Sequence, residues 1–500
     1  MLLLAAISAL LRVPYAGAPM SSDEGGFLAV GAQWSRGPSL YGHYWVDRPP
    51  LLIEIYRFAD HLGGLFALRL IGALAVAVTV LAVGMTLRAI VGARAATWGA
   101  AVAAALLVSP LAGAVAVNGE LLAASFVALG TWAAAESLRS RPAKPAIAWA
   151  VAAGAASAAA VLVKQNMLDP AVFAIVFGLI CWRIGRVSGR RLGRLFSAYV
   201  AGLSLVTTAV LALAALRGSS PSAILYAMYP FRLDALNAVQ AATGAERVTR
   251  LAQLAGQELT TMAPLLLVGL ALMAILRRHA RSLEQAGALA TLAMAAYALV
   301  SVSAGGSYWS HYLVELAVPL ALAGGLLVEA SFTRGRLFVA LVLISSAVAW
   351  TGGLDHQVET RGADAGAAVA SVAQPGDTLV SVFGEPDVLR SSGLQSPYPY
   401  LWSLPARTLD PGQHKLAILL SGPDAPTWFV TRGTQTVQTL EQGDAGKALH
   451  LHYRHLVDVC GRAIYLHDGS PRPTPITGSD CSRPLASWIG QDIAPAGGNR

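Results

Sequence analysis

The residues able to do chemistry collect between Ser22 and Pro50, in the run SDEGGFLAVGAQWSRGPSLYGHYWVDRPP. Asp23-Glu24 opens it and Asp47-Arg48-Pro49-Pro50 closes it. A carboxylate held within hydrogen-bond reach of an alcohol can take its proton as a general base. The acidic pair, with Ser21-Ser22 before it and FLAVGAQW after it, also reads as the capped start of a helix. The two roles are compatible. At the other end, Pro49-Pro50 stiffen the chain and start a helix over Leu51–Leu62. Arg48 then stands beside a helix N-terminus, where backbone N–H groups favour anions. Its guanidinium fork matches phosphate; an interfacial arginine on lipid headgroups is the alternative.

These residues must be positioned by a membrane domain. The chain has 500 residues, 55% of them hydrophobic and only 13% charged, where soluble domains carry about 25% charged residues. Apolar spans fall near 65–90, 95–113, 120–138, 146–163, 168–184, 195–216, 260–276, 286–303, 311–330 and 336–353. Fifteen basic residues lie in five short loops on one side: Arg88 and Arg94; Arg139, Arg141 and Lys144; Arg183, Arg186, Arg190, Arg191 and Arg194; Arg277, Arg278 and Arg281; Arg334 and Arg336. The short opposite loops at 113–119, 164–167 and 304–310 carry one, Lys164. The positive-inside rule puts the first set in the cytoplasm. The segment with Asp23 and Arg48, the 217–259 loop and the chain after 354 then face outside. The net charge of +8 resides largely in those inner loops and is no sign of nucleic acid. The opening MLLLAAISALL is too short to cross a bilayer core of roughly 30 Å. It reads as a shortened first span, and a complete protein would have eleven.

After Leu354 the composition shifts towards Gly, Pro, Asp and Thr. Strand-like runs occur at Thr378–Phe383, Lys415–Leu420, Trp428–Val430, Leu456–Cys460 and Ala463–Leu466, the last two joined as a hairpin through Gly461-Arg462. Residues 355–484 read as a small extracytoplasmic α/β domain and 485–500 as a disordered tail. Cys460 and Cys481 would share an oxidising compartment, where pairing and free thiols are both open. Tyr398, Tyr400 and Trp402 fit core packing better than sugar stacking. The Ala-rich, Arg-over-Lys composition suggests a high-GC bacterial genome.

The order DEGGFLAVGAQW…LYGHYWVDRPPLL resembles the first external loop of GT-C superfamily glycosyltransferases, polytopic enzymes that include protein O-mannosyltransferases and lipid A aminoarabinose transferases. Asn118-Gly119-Glu120 opening a helix, Lys164-Gln165 after another, and HYLVELAVPL from His311 extend the resemblance over residues 12–350. A weaker echo lies around Asp377–Asp387. The resemblance implies a mainly α polytopic membrane protein with about 10–11 transmembrane helices and a small extracytoplasmic α/β C-terminal domain. Residues 1–354 would form the membrane domain, with external loops at 12–64 and 217–259.

It implies an inverting glycosyltransferase that moves a hexosyl or pentosyl unit from a polyprenyl-phosphate donor to an acceptor hydroxyl outside the membrane. Asp23 is the expected base, with Glu24 as second choice. Arg48 and Lys164 are expected on the donor phosphate. Tyr41, His43, Trp45, Asp47, Glu120 and His311 are expected around the substrates. Simpler readings stand beside these. The aromatic run fits an interfacial belt, Glu120 a helix cap, Lys164 a snorkelling amine, and His311 an interface residue. Arg232 in the 217–259 loop is a further phosphate candidate. That loop carries an amphipathic stretch through Leu254 suited to the membrane surface. His311 and Glu315 lie one turn apart without a third ligand, so no metal or other cofactor is expected, a divalent ion staying open. Expected partners are the donor, the bilayer and a glycan, lipid or protein acceptor. Arg48 and Asp47 stand where aminoarabinose transferases have Lys and often Glu, which counts against that donor. Transporters place charges at mid-membrane, whereas the polar set here gathers on one face. A flippase or a non-catalytic binder of a polyprenyl-linked saccharide is the alternative.

Overall fold

The structure, a computed structural model, describes residues 1–140, 142–236, 238, 244–277, 282–355, 357–432, 440, 443–476 and 481–485. Arg141, Arg278, Arg281 and the expected tail from 486 onward lie outside the described residues. The chain divides into two compact units, and the division does not follow a single cut at residue 354. The first comprises Met1–Ala16, Arg69–Ala212 and Thr243–Leu354; the second comprises Gly17–Leu68, Leu213–Ala242 and Asp355–Arg500. The opening segment therefore packs with the C-terminal part of the chain, although over three hundred residues of sequence separate them.

In the first unit each of the ten apolar spans is helical. Among the described residues seven helices are long and apolar enough to cross a membrane: Leu65–Ile90, Gly119–Arg139, Ala143–Val163, Gly189–Leu216, Leu283–Ala304, Ser310–Ala330 and Phe332–Leu354. An eighth span is a broken pair, Arg247–Thr260 and Pro264–Leu276, bent by 69°. Met262 adopts a positive φ of 59° at the break, and Pro264 starts the second helix. The remaining two are shorter, Ala93–Val108 and Asp169–Arg183. Ser109-Pro110 ends the former, since proline cannot continue the helix. Two shorter helices, Leu2–Leu10 and Val13–Ala16, represent the opening stub. Arg12 between them is buried and donates to the carbonyls of Leu107 (3.3 Å) and Val115 (3.0 Å).

The Val314–Ala330 helix is the buried centre of this unit and packs on Ala93–Val108, Leu283–Ala304 and Phe332–Leu354. The peripheral Gly189–Leu216 and Phe332–Leu354 helices expose Phe196, Leu205, Ile344 and Val348, as lipid-facing helices do. Small residues set the spacing. A Cβ on Gly154 would lie 1.8 Å from the Tyr199 carbonyl oxygen, and one on Gly202 would lie 2.0 Å from that of Val151. Backbones this close require glycine.

The second unit holds the helices Ser22–Ala32 and Pro50–Gly63 of the opening segment. Among the described residues its C-terminal part carries two sheets. Gln357–Glu359 (β1) pairs with Ser482–Pro484 (β6). Leu379–Ser381 (β2), Trp428–Arg432 (β3), Tyr453–Val459 (β4) and Arg462–His467 (β5) form a sheet in the order β2-β3-β5-β4. The β2–β3 pair is parallel and the others antiparallel. A parallel pair needs a crossover, and the run expected as a strand at Lys415–Leu420 is instead part of it. His414–Ser421 is a helix with Leu416 and Leu420 buried and Ile418 exposed, a period of four rather than two. The β4–β5 hairpin turns at Cys460-Gly461, one residue earlier than expected, with φ of 50° and 76°. Tyr398 and Tyr400 are buried in the core beside Phe429 and Tyr465.

Cys460 and Cys481 form a disulfide. It closes a loop of 21 residues in sequence separation, whose entropy in the unfolded chain corresponds to about 3 kcal/mol. Cys481→Ala is expected to lower the thermal midpoint of the C-terminal part by several degrees, read by differential scanning fluorimetry with and without reductant. An unchanged midpoint overturns this.

Candidate active site

The sequence Ser21-Ser22-Asp23-Glu24 folds as a complete capping box. The Glu24 N–H donates to Ser21 Oγ (3.3 Å), and the Ser21 N–H donates to Glu24 Oε2 (2.9 Å). Glu24 is fully buried and serves the helix start. Asp23 is half-buried, takes no part in the cap, and accepts a hydrogen bond from the Trp402 indole at Oδ1 (3.0 Å). The two acids adjacent in sequence therefore have different surroundings. One is locked into the backbone and the other presents a partly accessible carboxylate.

The two glycines that follow explain how Trp402 reaches Asp23. A Cβ on Gly25 would lie 2.7 Å from Asp387 Cα, and one on Gly26 would lie 2.3 Å from Trp402 Cζ2. Glycine in a helix costs about 1 kcal/mol each; here the pair admits the Pro386–Ser392 helix and the indole against the acid-bearing helix. Ser22 Oγ donates to the Gly384 carbonyl (2.7 Å) and to Asp387 Oδ1 (3.1 Å).

Asp387 titrates abnormally. Burial, reinforced by the nearby charge of Glu385, pushes its carboxyl up to about 6. Folding therefore favours the protonated form. Its stabilising effect is full below about pH 4, declines as pH rises from there to about 6, and is absent above. Asp387→Asn is expected to raise stability at pH 7.5 by up to about 3 kcal/mol and to flatten the pH dependence of the melting temperature between about 4 and 6. A variant as pH-sensitive as the wild type in that window refutes the assignment.

At the far end of the segment, Asp47 is buried and its carboxylate bridges two guanidiniums. Arg48 Nη1 lies 2.8 Å from Oδ1, and Arg232 Nη2 lies 2.6 Å from Oδ2. Arg232 comes from the short Pro230–Asp234 helix. Two guanidiniums thus converge on one carboxylate. Phe27 ties the two ends together: its ring lies 5.2 Å from that of Trp402 and 5.8 Å from the Arg48 guanidinium. Tyr41 is buried and its hydroxyl donates to the Arg48 carbonyl (2.9 Å), which holds the Arg48 backbone. Trp45 packs on Phe231 at 4.5 Å. His43 is exposed, with its backbone N–H on Gln33 Oε1 (2.7 Å).

The first unit contains its own polar cluster. Asn118 caps the Gly119–Arg139 helix by accepting from Leu121 N–H (2.9 Å), and Glu120 follows in the first turn. Glu120 is buried, with Oε1 2.6 Å from Lys164 Nζ and 3.8 Å from His311 Nε2. Lys164 also lies over the Tyr312 ring at 5.5 Å. The structure thus gathers Glu120, Lys164 and His311, three candidates that stand far apart in sequence. It adds Asn166, which donates to Glu315 Oε2 (2.8 Å), and a Glu315 close enough to sense the charges of Asp169, Glu120 and Lys164. Among the described residues no group of three or more His, Cys, Asp or Glu side chains is arranged to hold a metal ion.

The residues that sequence reasoning undervalued are Trp402, Arg232, Asp387 and Asn166. The available signal for the first and third was Gly25-Gly26, since two glycines inside a helix imply a close neighbour. The others carry no local signature.

The fold and this distribution of charged residues define a class. The chain is a multi-pass membrane protein with a GT-C-like fold. It is similar to ArnT from Cupriavidus metallidurans bound to undecaprenyl phosphate, with a TM-score of 0.63 and 16% identity over 93% of this chain and 97% of that one. It is also similar to the oligosaccharyltransferase AglB from Archaeoglobus fulgidus, in complex with an inhibitory peptide and a dolichol-phosphate, with a TM-score of 0.55 and 11% identity over 97% and 76% of the two chains. A third similarity is to the mycobacterial arabinofuranosyltransferase AftD, with a TM-score of 0.50 and 15% identity over 93% of this chain and 41% of that one. No family model and no curated protein sequence matches the chain.

Proposed function

We propose that the protein is an inverting glycosyltransferase that takes a sugar from a polyprenyl-phosphate donor and places it on an acceptor hydroxyl at the extracytoplasmic face. The observation that carries this reading is the pairing, within one compact unit, of a partly accessible Asp23 carboxylate with the Arg48–Asp47–Arg232 cluster. The similar structures of ArnT and AglB, bound to undecaprenyl phosphate and to a dolichol-phosphate, support a lipid-phosphate ligand.

In this mechanism Asp23 accepts the acceptor's hydroxyl proton as that oxygen attacks the anomeric carbon. The bond from that carbon to the phosphate oxygen breaks on the opposite face, which inverts the configuration. The electron pair leaves with the polyprenyl phosphate, and Arg48 and Arg232 stabilise its developing charge. The Glu120–Lys164–His311 cluster is assigned to substrate binding, with Lys164 its phosphate-binding candidate. The sequence-derived topology, with the basic loops on the other side, supports a reaction outside.

The test uses the full chain in lipid nanodiscs with synthetic undecaprenyl-phosphate mannose and decaprenyl-phosphate arabinose, and a panel of glycan, lipid and peptide acceptors. Acceptor-dependent release of polyprenyl phosphate is expected. In sealed vesicles, movement of donor across the bilayer without release would instead make the protein a flippase.

A further inference from the structure

We infer that Trp402 is a positioning residue for Asp23, so that the C-terminal part of the chain completes the acid of the opening segment. The inference rests on the reading of Asp23 as the base. Among the described residues the Trp402 indole is the hydrogen-bond partner of the Asp23 carboxylate, at 3.0 Å to Oδ1. A carboxylate with one oxygen held by a fixed donor keeps a defined plane, and Oδ2 is left to take the proton. A general base acts only if its geometry is held within hydrogen-bond reach of the reacting group.

The indole is itself over-determined, as a positioning group must be. It precedes the Ser403–Leu409 helix and is half-buried. Its ring lies against Phe27 at 5.2 Å with an interplanar angle of 32°, and its edge fills the space that a side chain at position 26 would occupy. Pro386 fills the same space from the other side, with Cγ 2.7 Å from where a Gly26 Cβ would sit. The Ser22 hydrogen bonds to Gly384 and Asp387 fix the approach of the neighbouring helix.

The experiment replaces Trp402 by β-(3-benzothienyl)alanine, which keeps the bicyclic shape and removes only the N–H, and separately by phenylalanine. The expected result is a kcat lowered roughly 10- to 100-fold, as for loss of a hydrogen bond to a charged group, with donor KM unchanged within twofold. Gly26→Ala, which displaces the ring, is expected to lower kcat likewise. A benzothienyl variant with wild-type kcat overturns the proposal, and so does a raised KM at constant kcat, which would mark a direct substrate contact. A second readout needs no donor. The indole ¹⁵N–¹H resonance of Trp402, identified by its loss in Trp402→Phe, should move upfield in Asp23→Ala; an unmoved resonance refutes the hydrogen bond. Full transfer by Asp23→Asn would instead overturn the function proposed for the acid and leave the indole contact standing.

Discussion

Asp23→Asn is expected to reduce sugar transfer by about a thousandfold, within the range of a lost general base, while donor binding stays within about twofold of wild type. The substitution is nearly isosteric. Asn keeps an Oδ1 that accepts from the Trp402 indole, and the capping box of Ser21 and Glu24 does not involve position 23. What disappears is the oxygen that receives the proton. Glu24→Gln supplies the contrast. Glutamine retains an oxygen for the Ser21 N–H, so the expected cost is that of a weakened cap, about 1 kcal/mol of stability, with transfer reduced less than about tenfold. Equal and complete loss in both variants would mean that integrity of the helix start, not proton transfer, explains the effect. Retention of more than a tenth of wild-type transfer in Asp23→Asn would remove the acid from the mechanism.

The difference between those adjacent acids marks what could be read in the sequence. Asp23-Glu24, Arg48 and the ten apolar segments are local signals: a cap motif, a prolyl helix start and runs of hydropathy. They place helices and polar ends well because each depends on a few neighbouring residues. Which of two acids points outward depends on a partner 379 residues away, Trp402. The grouping of Glu120, Lys164 and His311 likewise depends on how separate helices pack. The run KLAILL at 415–420 failed locally for a related reason. Its short apolar run resembles a strand, but Lys, Leu and Ala favour helix, and the segment lies in the crossover that joins the parallel β2 and β3. The broken span at Thr261–Ala263 was equally hidden, because hydropathy reports length and not direction. Gly25-Gly26 is the instructive middle case: the pair can be seen in the sequence, yet its meaning appears only when Asp387 and Trp402 occupy the space it leaves.

Arg48→Ala is expected to weaken undecaprenyl phosphate binding roughly 10- to 100-fold, the loss of a charge-assisted contact, measured with full-length protein in nanodiscs. Arg48 is the better buried of the two arginines, its side chain 19% exposed against 38% for Arg232, so Arg232→Ala should cost less. The effects should not add. Both guanidiniums share the Asp47 carboxylate, so the two losses are coupled, and the double variant, which leaves Asp47 opposed by neither arginine, should bind phosphate more weakly than either single variant. Arg48→Lys should restore charge but only part of the affinity, because an ammonium cannot make the paired contact of a guanidinium. Asp47→Asn supplies the opposite sign. With the bridging charge gone, the two guanidiniums repel each other more strongly, and an incoming phosphate relieves that repulsion. Tighter phosphate binding is therefore expected, at a cost in stability without ligand. If Asp47→Asn and Arg48→Ala both bind like the wild type, these arginines hold the protein together and the donor phosphate is bound elsewhere, with Lys164 as the next cation to test.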